Sequence, residues 1–190
     1  WATGYDFPAV NDERVVLETF ENGYNASGVM WGFVPNQRKE KFQDPRVREA
    51  LNYAFDFQEL NSTLFYEQYQ RINSYFFGTD LAAPDGPPAG LELEILEEVR
   101  DLIPASVFDA RFTNPIGGSE EALRDNLREA LRLFNEAGYT LEGTQLVDAN
   151  GNQFSFEILS YDSTIEPVAL HWAENLNAIG ANVTLRVVDT

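Results

Sequence analysis

Apolar positions along this chain keep two rhythms, every second residue and every third or fourth, and the changes between them mark out the elements. RVVLETFEN (14–22) and ASGVMWGFVPN (26–36) are dense in β-branched and aromatic residues and predict two strands around a Gly, Asn and Ser-rich turn, with Pro35 ending the second or placing it at an edge. In KFQDPRVREALNYAFDFQEL (41–60) the rhythm turns helical: Val47, Ala50, Leu51 and Ala54 share a face, Asp44 is a candidate cap and Pro45 suits the first helical position. Asp56 and Glu59 then have capping-box spacing ahead of Leu60, Leu64 and Phe65, which predicts a short helix ending near Tyr66. Between Arg71 and Gly90 the glycines and prolines at 78, 84, 86, 87, 88 and 90 forbid regular structure and predict a long surface excursion.

LELEILEEVRDLI (91–103) reads as a helix with an acidic outer face, stopped by Pro104. After the linker TNPIGG (113–118), Ser119 caps a helix whose Leu123, Leu127, Ala130, Leu131 and Phe134 share a face, whose first turn carries Glu120 and Glu121, and whose end is marked by Gly138. Two apolar runs flank Asn150-Gly151 and predict a hairpin within 144–159. Ser163 and Glu166 have capping-box spacing, Ile165, Ala169, Trp172, Leu176 and Ile179 form a helical stripe, and Gly180 stops it before ANVTLRVVD (181–189). Strand 154–160, helix 164–179 and strand 182–188 make a βαβ unit, expected to be parallel and right-handed. The fold class is α/β, a mixed sheet with packed helices in a single domain over 1–190.

Composition narrows the chemistry. Against 31 Asp and Glu stand 13 Lys and Arg, and the formal charge of −18 repels phosphate backbones and anionic lipid headgroups. The absence of cysteine removes disulfides, thiolate metal sites and cysteine nucleophiles, and His171 is the single imidazole. No run approaches the roughly 20 apolar residues of a membrane span, and no charged-then-apolar leader is present. The chain starts at Trp1 and stops at Thr190 just after a strand-like run, and so reads as a piece of something longer.

Each candidate motif has an ordinary structural explanation beside the chemical one. Glu97 with Glu98, and Glu120 with Glu121, are adjacent and so point roughly 100° apart on a helix, as solvated charges rather than a hydrolase acid pair. Asp148, Asn150, Asn152 and Glu157 supply alternating oxygens like a calcium loop, but Gly151 comes fourth rather than sixth and the flanks are strand-like. Gly117-Gly118 offers backbone amides to a phosphate or carboxylate, or is a flexible linker. Arg38, Lys39, Lys41, Arg46 and Arg48 concentrate positive charge for internal salt bridges or a domain contact. Phe65, Tyr66, Tyr69, Tyr75, Phe76 and Phe77, with Arg71 among them, either wall a peptide or sugar cleft or staple the excursion to the core.

FQDPRVREALNYAFD (42–56) resembles the signature segment of the family 5 extracellular solute-binding proteins of bacterial ABC importers, the dipeptide and oligopeptide binders. In that family an aromatic, an Asp, a Val-Arg pair and an ALxxAxD helix follow a strand ending in Asn and a basic loop. Phe42, Asp44, Val47, Arg48, Ala50, Leu51, Ala54 and Asp56 match, and GFVPNQRKEKF (32–42) supplies the strand end and loop, with Pro35 where an aromatic or hydrophobic residue is usual. AGY (137–139) and WAENLNAIGANVTLRVVD (172–189) continue the match in order and spacing. The middle, TLFYEQYQRINSYF (63–76), ELEILE (92–97) and PASVF (104–108), is most similar to the branch that binds oligopeptides and the peptide-nucleotide antibiotic microcin C.

The resemblance implies one lobe of a periplasmic-binding-protein type II clamshell, with this chain most of the C-terminal lobe and ligand enclosed against the remaining lobe of the same polypeptide. It implies a monomeric, periplasmic or lipid-anchored protein with no catalysis and no cofactor, which captures oligopeptides or peptide-like solutes for an ABC permease in the inner membrane. The family's carboxylate for the peptide amino group would lie beyond Thr190. Within the chain, the strand through Trp31, Gly32, Phe33 and Val34 matches one whose end lines the cleft, and Tyr75 is the ligand candidate from the aromatic loop. Two rival readings stand beside it: an acid-pair hydrolase, and an acidic cation-dependent adhesion module built on Asp148–Glu157.

Overall fold

A computed structural model describes residues 4–18, 20, 30–83, 86–109 and 112–188. Contacts divide the chain into two compact units, unit 1 being Trp1–Gly32 with Ile72–Thr113 and unit 2 Phe33–Arg71 with Asn114–Thr190.

Unit 1 holds two short helices, α1 (Pro8–Asn11) and, as numbered in chain order, α4 (Gly90–Glu97), followed by 3₁₀ turns at Arg100–Leu102 and Ala105–Phe108. The helix expected over 91–103 thus shortens and tightens into a 3₁₀ turn before Pro104. None of the described residues of unit 1 belongs to the buried core, and Tyr75, Leu81, Leu91 and Leu102 are among its exposed apolar side chains. The strands expected at 14–22 and 26–36 do not form among the described residues, and positions 19, 21–22 and 26–29 lie outside them. An extended segment becomes a strand only where a neighbour offers backbone partners, and no described segment pairs with either.

Unit 2 carries the core. A 3₁₀ turn at Glu40–Phe42 leads into α2 (Pro45–Tyr53), capped by Asp44, whose carboxylate accepts from Arg46 N at 2.8 Å, with Pro45 in the first turn. Arg48 Nη1 donates to Phe42 O at 2.7 Å and Gln43 O at 2.8 Å, clamping the turn onto the helix that follows. This gives the Val-Arg pair of the motif a physical role: Val47 is buried and Arg48 closes the entry. α3 (Phe57–Thr63) is capped by Asp56 and ends earlier than expected, because the chain turns through positive φ at Tyr66 and Glu67.

α5 (Glu120–Glu136) starts at the Ser119 cap and buries Ala130, Leu133 and Phe134, with Leu127 and Leu131 partly buried beside them. Phe134 packs edge-on against Phe154 at 4.9 Å and Tyr139 at 5.9 Å. β3 (Ser155–Ser160), α6 (Glu166–Ala178) and β4 (Asn182–Val187) form the expected parallel unit, in register from Ser155↔Asn182 to Ser160↔Val187. The cap differs from the expected Ser163: Asp162 accepts from Thr164 N at 2.8 Å and opens a 3₁₀ turn that leads into α6. α6 docks on α2 by side-chain bonds to carbonyls at the end of that helix, Trp172 Nε1 to Leu51 O at 2.9 Å and Asn175 Nδ2 to Ala54 O at 3.0 Å.

The hairpin lies elsewhere than expected. β1 (Thr140–Glu142) and β2 (Gln145–Val147) pair antiparallel around Gly143-Thr144. The chain does turn at Asn150-Gly151, but β2 continues across it only as a Val147↔Gln153 bridge. β3 takes β4 as its ladder partner, an arrangement that lets Phe154, Ile158 and Val183 bury together beneath α6. Gly180, at φ +93, is confined by both backbone and space, since a Cβ there would lie 2.8 Å from Leu146 N.

Phe134→Ala should lower unfolding free energy by about 3–5 kcal/mol in urea titration, whereas Leu141→Ala, at the solvent-facing hairpin, should cost under about 1 kcal/mol. Asp44, Asp148 and Asp162 are held below their ordinary 3.8 by the Arg46 guanidinium, the Asn152 side chain and amide, and the Thr164 hydroxyl and amide respectively. A carboxylate made more acidic by folding adds stability that is complete above its unfolded value and disappears as pH falls through the lowered one. The melting midpoint should therefore drop below about pH 4, modestly because these groups are solvated, and the drop should shrink in high salt.

Candidate functional site

The expected ligand residues fall in both units. In unit 1, Trp31 is 68% exposed and Gly32 has open space where a side chain would stand. Tyr75, 73% exposed, borders a hollow shared with Phe76, Leu81, Glu92 and Phe112. In unit 2, Phe33 points inward: its ring stacks on Trp172 at 4.7 Å and meets Phe55 edge-on at 6.2 Å. Val34 is 92% exposed, at the head of an open hollow that continues through Pro35, Asn36, Gln37 and Arg38. Alternation along the segment therefore spends the Phe33 ring on the core and leaves Val34 to solvent.

One aromatic was missed by sequence reasoning. Tyr161 follows β3 and is 76% exposed. Ser160 Oγ donates to Asp162 O at 3.0 Å and accepts from Asp162 N at 3.1 Å, so the two neighbours of Tyr161 are bonded to each other across it. The Asp162 carboxylate in turn holds Thr164 N at 2.8 Å and Thr164 Oγ1 at 2.7 Å. The turn is fixed from both sides and presents a large ring at the carboxyl end of β3. The available signal was the Ser-Tyr-Asp-Ser run between strand and helix, with polar residues able to bond their own backbone on both sides of an aromatic.

The anion for the Gly117-Gly118 amides is part of the protein. Asp56 is 1% exposed, and Gly118 N donates to its two carboxylate oxygens at 2.9 and 3.0 Å. Gly117 N donates to Gln58 Oε1 at 2.9 Å, and Glu59 N to Asp56 Oδ1 at 3.0 Å. One side chain thus caps α3 and fixes the approach to α5. A Cβ at Gly117 would lie 2.3 Å from Asp56 Oδ1, so glycine there is required by close approach.

The other candidates resolve into structural roles. Asp148 Oδ1 accepts from Asn150 N at 2.8 Å and Asn152 N at 2.9 Å, which makes 148–152 a self-bonded turn. Among the described residues no three His, Asp or Glu side chains gather as metal ligands would. Of the basic cluster, Arg46 pairs with Asp44 at 2.6 Å, Arg48 clamps the entry to α2, and Lys41 donates to Ser155 O. Phe65 and Tyr69 meet at 4.6 Å, and the Asn61 amide bonds both Tyr69 O and Tyr69 N at 2.9 and 3.1 Å, so this part of the aromatic run is a staple. His171 Nε2 is buried 3.6 Å from Glu59 Oε2, with no hydrogen-bond partner among the described residues.

A parallel βαβ unit with helices packed over its core makes unit 2 an α/β fold. From residue 4 to residue 190 the chain matches the family described as bacterial extracellular solute-binding proteins, family 5 middle, and it belongs to that family. It is 52% identical over 190 residues to the probable peptide-binding protein YejA of Agrobacterium fabrum, covering all of this chain and 31% of that protein. It is 33% identical over 189 residues to the peptidoglycan-binding protein YepA of the same organism, covering 30% of it. The chain therefore spans about a third of the length of these relatives. The fold is shared with the oligopeptide-binding protein AppA of Bacillus subtilis, solved with a nonapeptide, at a TM-score of 0.55 and 20% identity over 81% of this chain and 25% of that one. The family is one of binding proteins, described as extracellular, and no described helix is long and apolar enough to cross a membrane.

Gly117→Ala should displace the buried Asp56 carboxylate from the Gly118 amide and cost about 3 kcal/mol in chemical denaturation. Asp56→Asn, which keeps an acceptor oxygen, should cost less; equal stability of Gly117→Ala and the parent would contradict the close approach.

Proposed function

We propose that this chain is most of the C-terminal lobe of a two-lobed protein that captures oligopeptides or peptide-like solutes and delivers them to an ABC permease. Family membership over nearly the whole chain carries the binding role. The observation that carries the ligand face is Tyr161, held outward by bonds between Ser160 and Asp162 at the carboxyl end of β3. An exposed ring on a fixed turn offers contact area at small entropic cost.

On this reading Trp31, Gly32 and Tyr75 face ligand from unit 1 and Val34 and Tyr161 from unit 2, and Phe33 serves unit 2 as an anchor whose ring is packed against Trp172. Selectivity comes from apolar and aromatic contact plus backbone hydrogen bonds, and closure of the second lobe over the ligand signals occupancy to the permease. The name of the A. fabrum YepA relative adds peptide-bearing peptidoglycan fragments to the ligands worth titrating.

Calorimetric titration of tri- to pentapeptides, and of a muropeptide, should give micromolar or tighter binding to the two-lobed polypeptide and none to the 190-residue chain alone. In the two-lobed protein Tyr161→Ala should weaken binding roughly tenfold with an unchanged melting midpoint, whereas Phe33→Ala should lower the midpoint first. Equal binding by the 190-residue chain alone would overturn the lobe assignment.

A further inference from the structure

Unit 2 is made of two stretches of chain, and Arg71 and Asn114 are the residues at which the chain leaves it and returns. These two residues are bonded to each other. Arg71 Nη2 donates to Asn114 Oδ1 at 3.2 Å and to Asn52 Oδ1 at 2.5 Å, and Asn52 Nδ2 donates to the same Asn114 oxygen at 3.2 Å. Arg71 Nη1 reaches Phe55 O at 3.1 Å, and the guanidinium lies over the rings of Phe55 at 4.8 Å and Phe57 at 5.9 Å. Burial lowers the Arg71 pKa to about 10, against the opposing pull of the Asp56 charge. A second tie follows three residues after Asn114, where Gly117 and Gly118 are bonded to Gln58 and Asp56.

The segment between these crossings, 72–113, contributes no described residue to the buried core. A segment with so little burial of its own has low local stability, and besides its contacts with Trp1–Gly32 in unit 1 its order depends on how firmly its two ends are held. The ends are held by a planar cation with three directed acceptors around it, an arrangement that a lysine ammonium does not reproduce.

We propose that Arg71, Asn52 and Asn114 form a polar neck that closes the base of the 72–113 segment. Resting on the ligand face proposed above, Asn114 and Arg71 are positioning residues for Tyr75: they touch no ligand and act by keeping the segment that carries it ordered.

Hydrogen exchange read by mass spectrometry on the two-lobed protein tests the neck without any ligand. Asn114→Ala should raise exchange of amides within 72–109 about tenfold while α2, α5 and β3 stay protected. Asn114→Asp, which restores an oxygen acceptor for both donors, should return the segment to parent rates, and Arg71→Lys should not. Faster exchange spread equally over both units, or none in either, would overturn the neck. Titration with the peptide bound best by the parent separates this from the functional reading. Affinity lost in Asn114→Ala and regained in Asn114→Asp supports the positioning role. Localised exchange with unchanged affinity overturns that role and removes Tyr75 from the ligand face, while peptide binding by the parent still stands.

Discussion

A single buried carboxylate organises unit 2. Asp56 gives up its hydration to accept backbone hydrogens from Glu59 and Gly118, and each bond does a different structural job. The first starts α3, and the second brings the returning chain to the point from which α5 begins. A charge removed from water is tolerated only when directed donors replace the water, and here the donors come from positions 62 residues apart in one pair. That requirement makes Gly117 obligatory, and Arg71, which feels the Asp56 charge, is bonded to Phe55 O, Asn52 and Asn114 beside it. The helix that carries the family motif, the loop that precedes the longest helix and the base of the 72–113 segment are thus joined through one hydrogen-bonded region.

The packing around this region is aromatic where it is deepest. Phe42, Phe134, Phe154 and Phe156 meet edge to face, and Trp172 fills the space between α6 and α2 while its indole hydrogen satisfies Leu51 O. The ion pairs on α5, Arg132 with Glu129 and Glu136 and Arg128 with Asp125, lie at the surface and add little by comparison. With 31 acidic side chains to 13 basic ones, most of the acidic surface has no pairing charge available, and its physical consequence is solubility and repulsion of anionic polymers.

The two units differ in what they offer a ligand. Unit 2 presents Tyr161 on a turn bonded on both sides, and Val34 beside a ring anchored in the core. Unit 1 presents Tyr75 and its hollow on a segment with no buried side chain among its described residues, whose ends are held at the Arg71–Asn114 neck.

Much of the fold was written locally. The Asp44, Asp56 and Ser119 caps, the Pro45 start and the stripes of α5 and α6 depend on residues a few positions apart, and all formed; the parallel β3–α6–β4 unit, announced by its element order, formed as well. The family was legible for the same reason, since its motif joins a cap, a buried stripe and an arginine clamp within one helix and the turn before it. What the local pattern could not decide was partnership. Strand-like composition at 14–18 and 30–36 found no described ladder, the run after Asn150-Gly151 turned back on β2 through a single bridge and took β4 as its ladder partner, and the cap before α6 shifted from Ser163 to Asp162. The same holds for the site: that Phe33 faces the core and Val34 faces solvent, that the Gly117-Gly118 amides hold Asp56, and that Tyr161 stands outward were settled only by tertiary structure. Capping and periodicity are determined within a helical turn, whereas a hydrogen-bond partner or a buried face is chosen by residues as far apart as the 121 positions between Leu51 and Trp172, and only the folded chain brings those together.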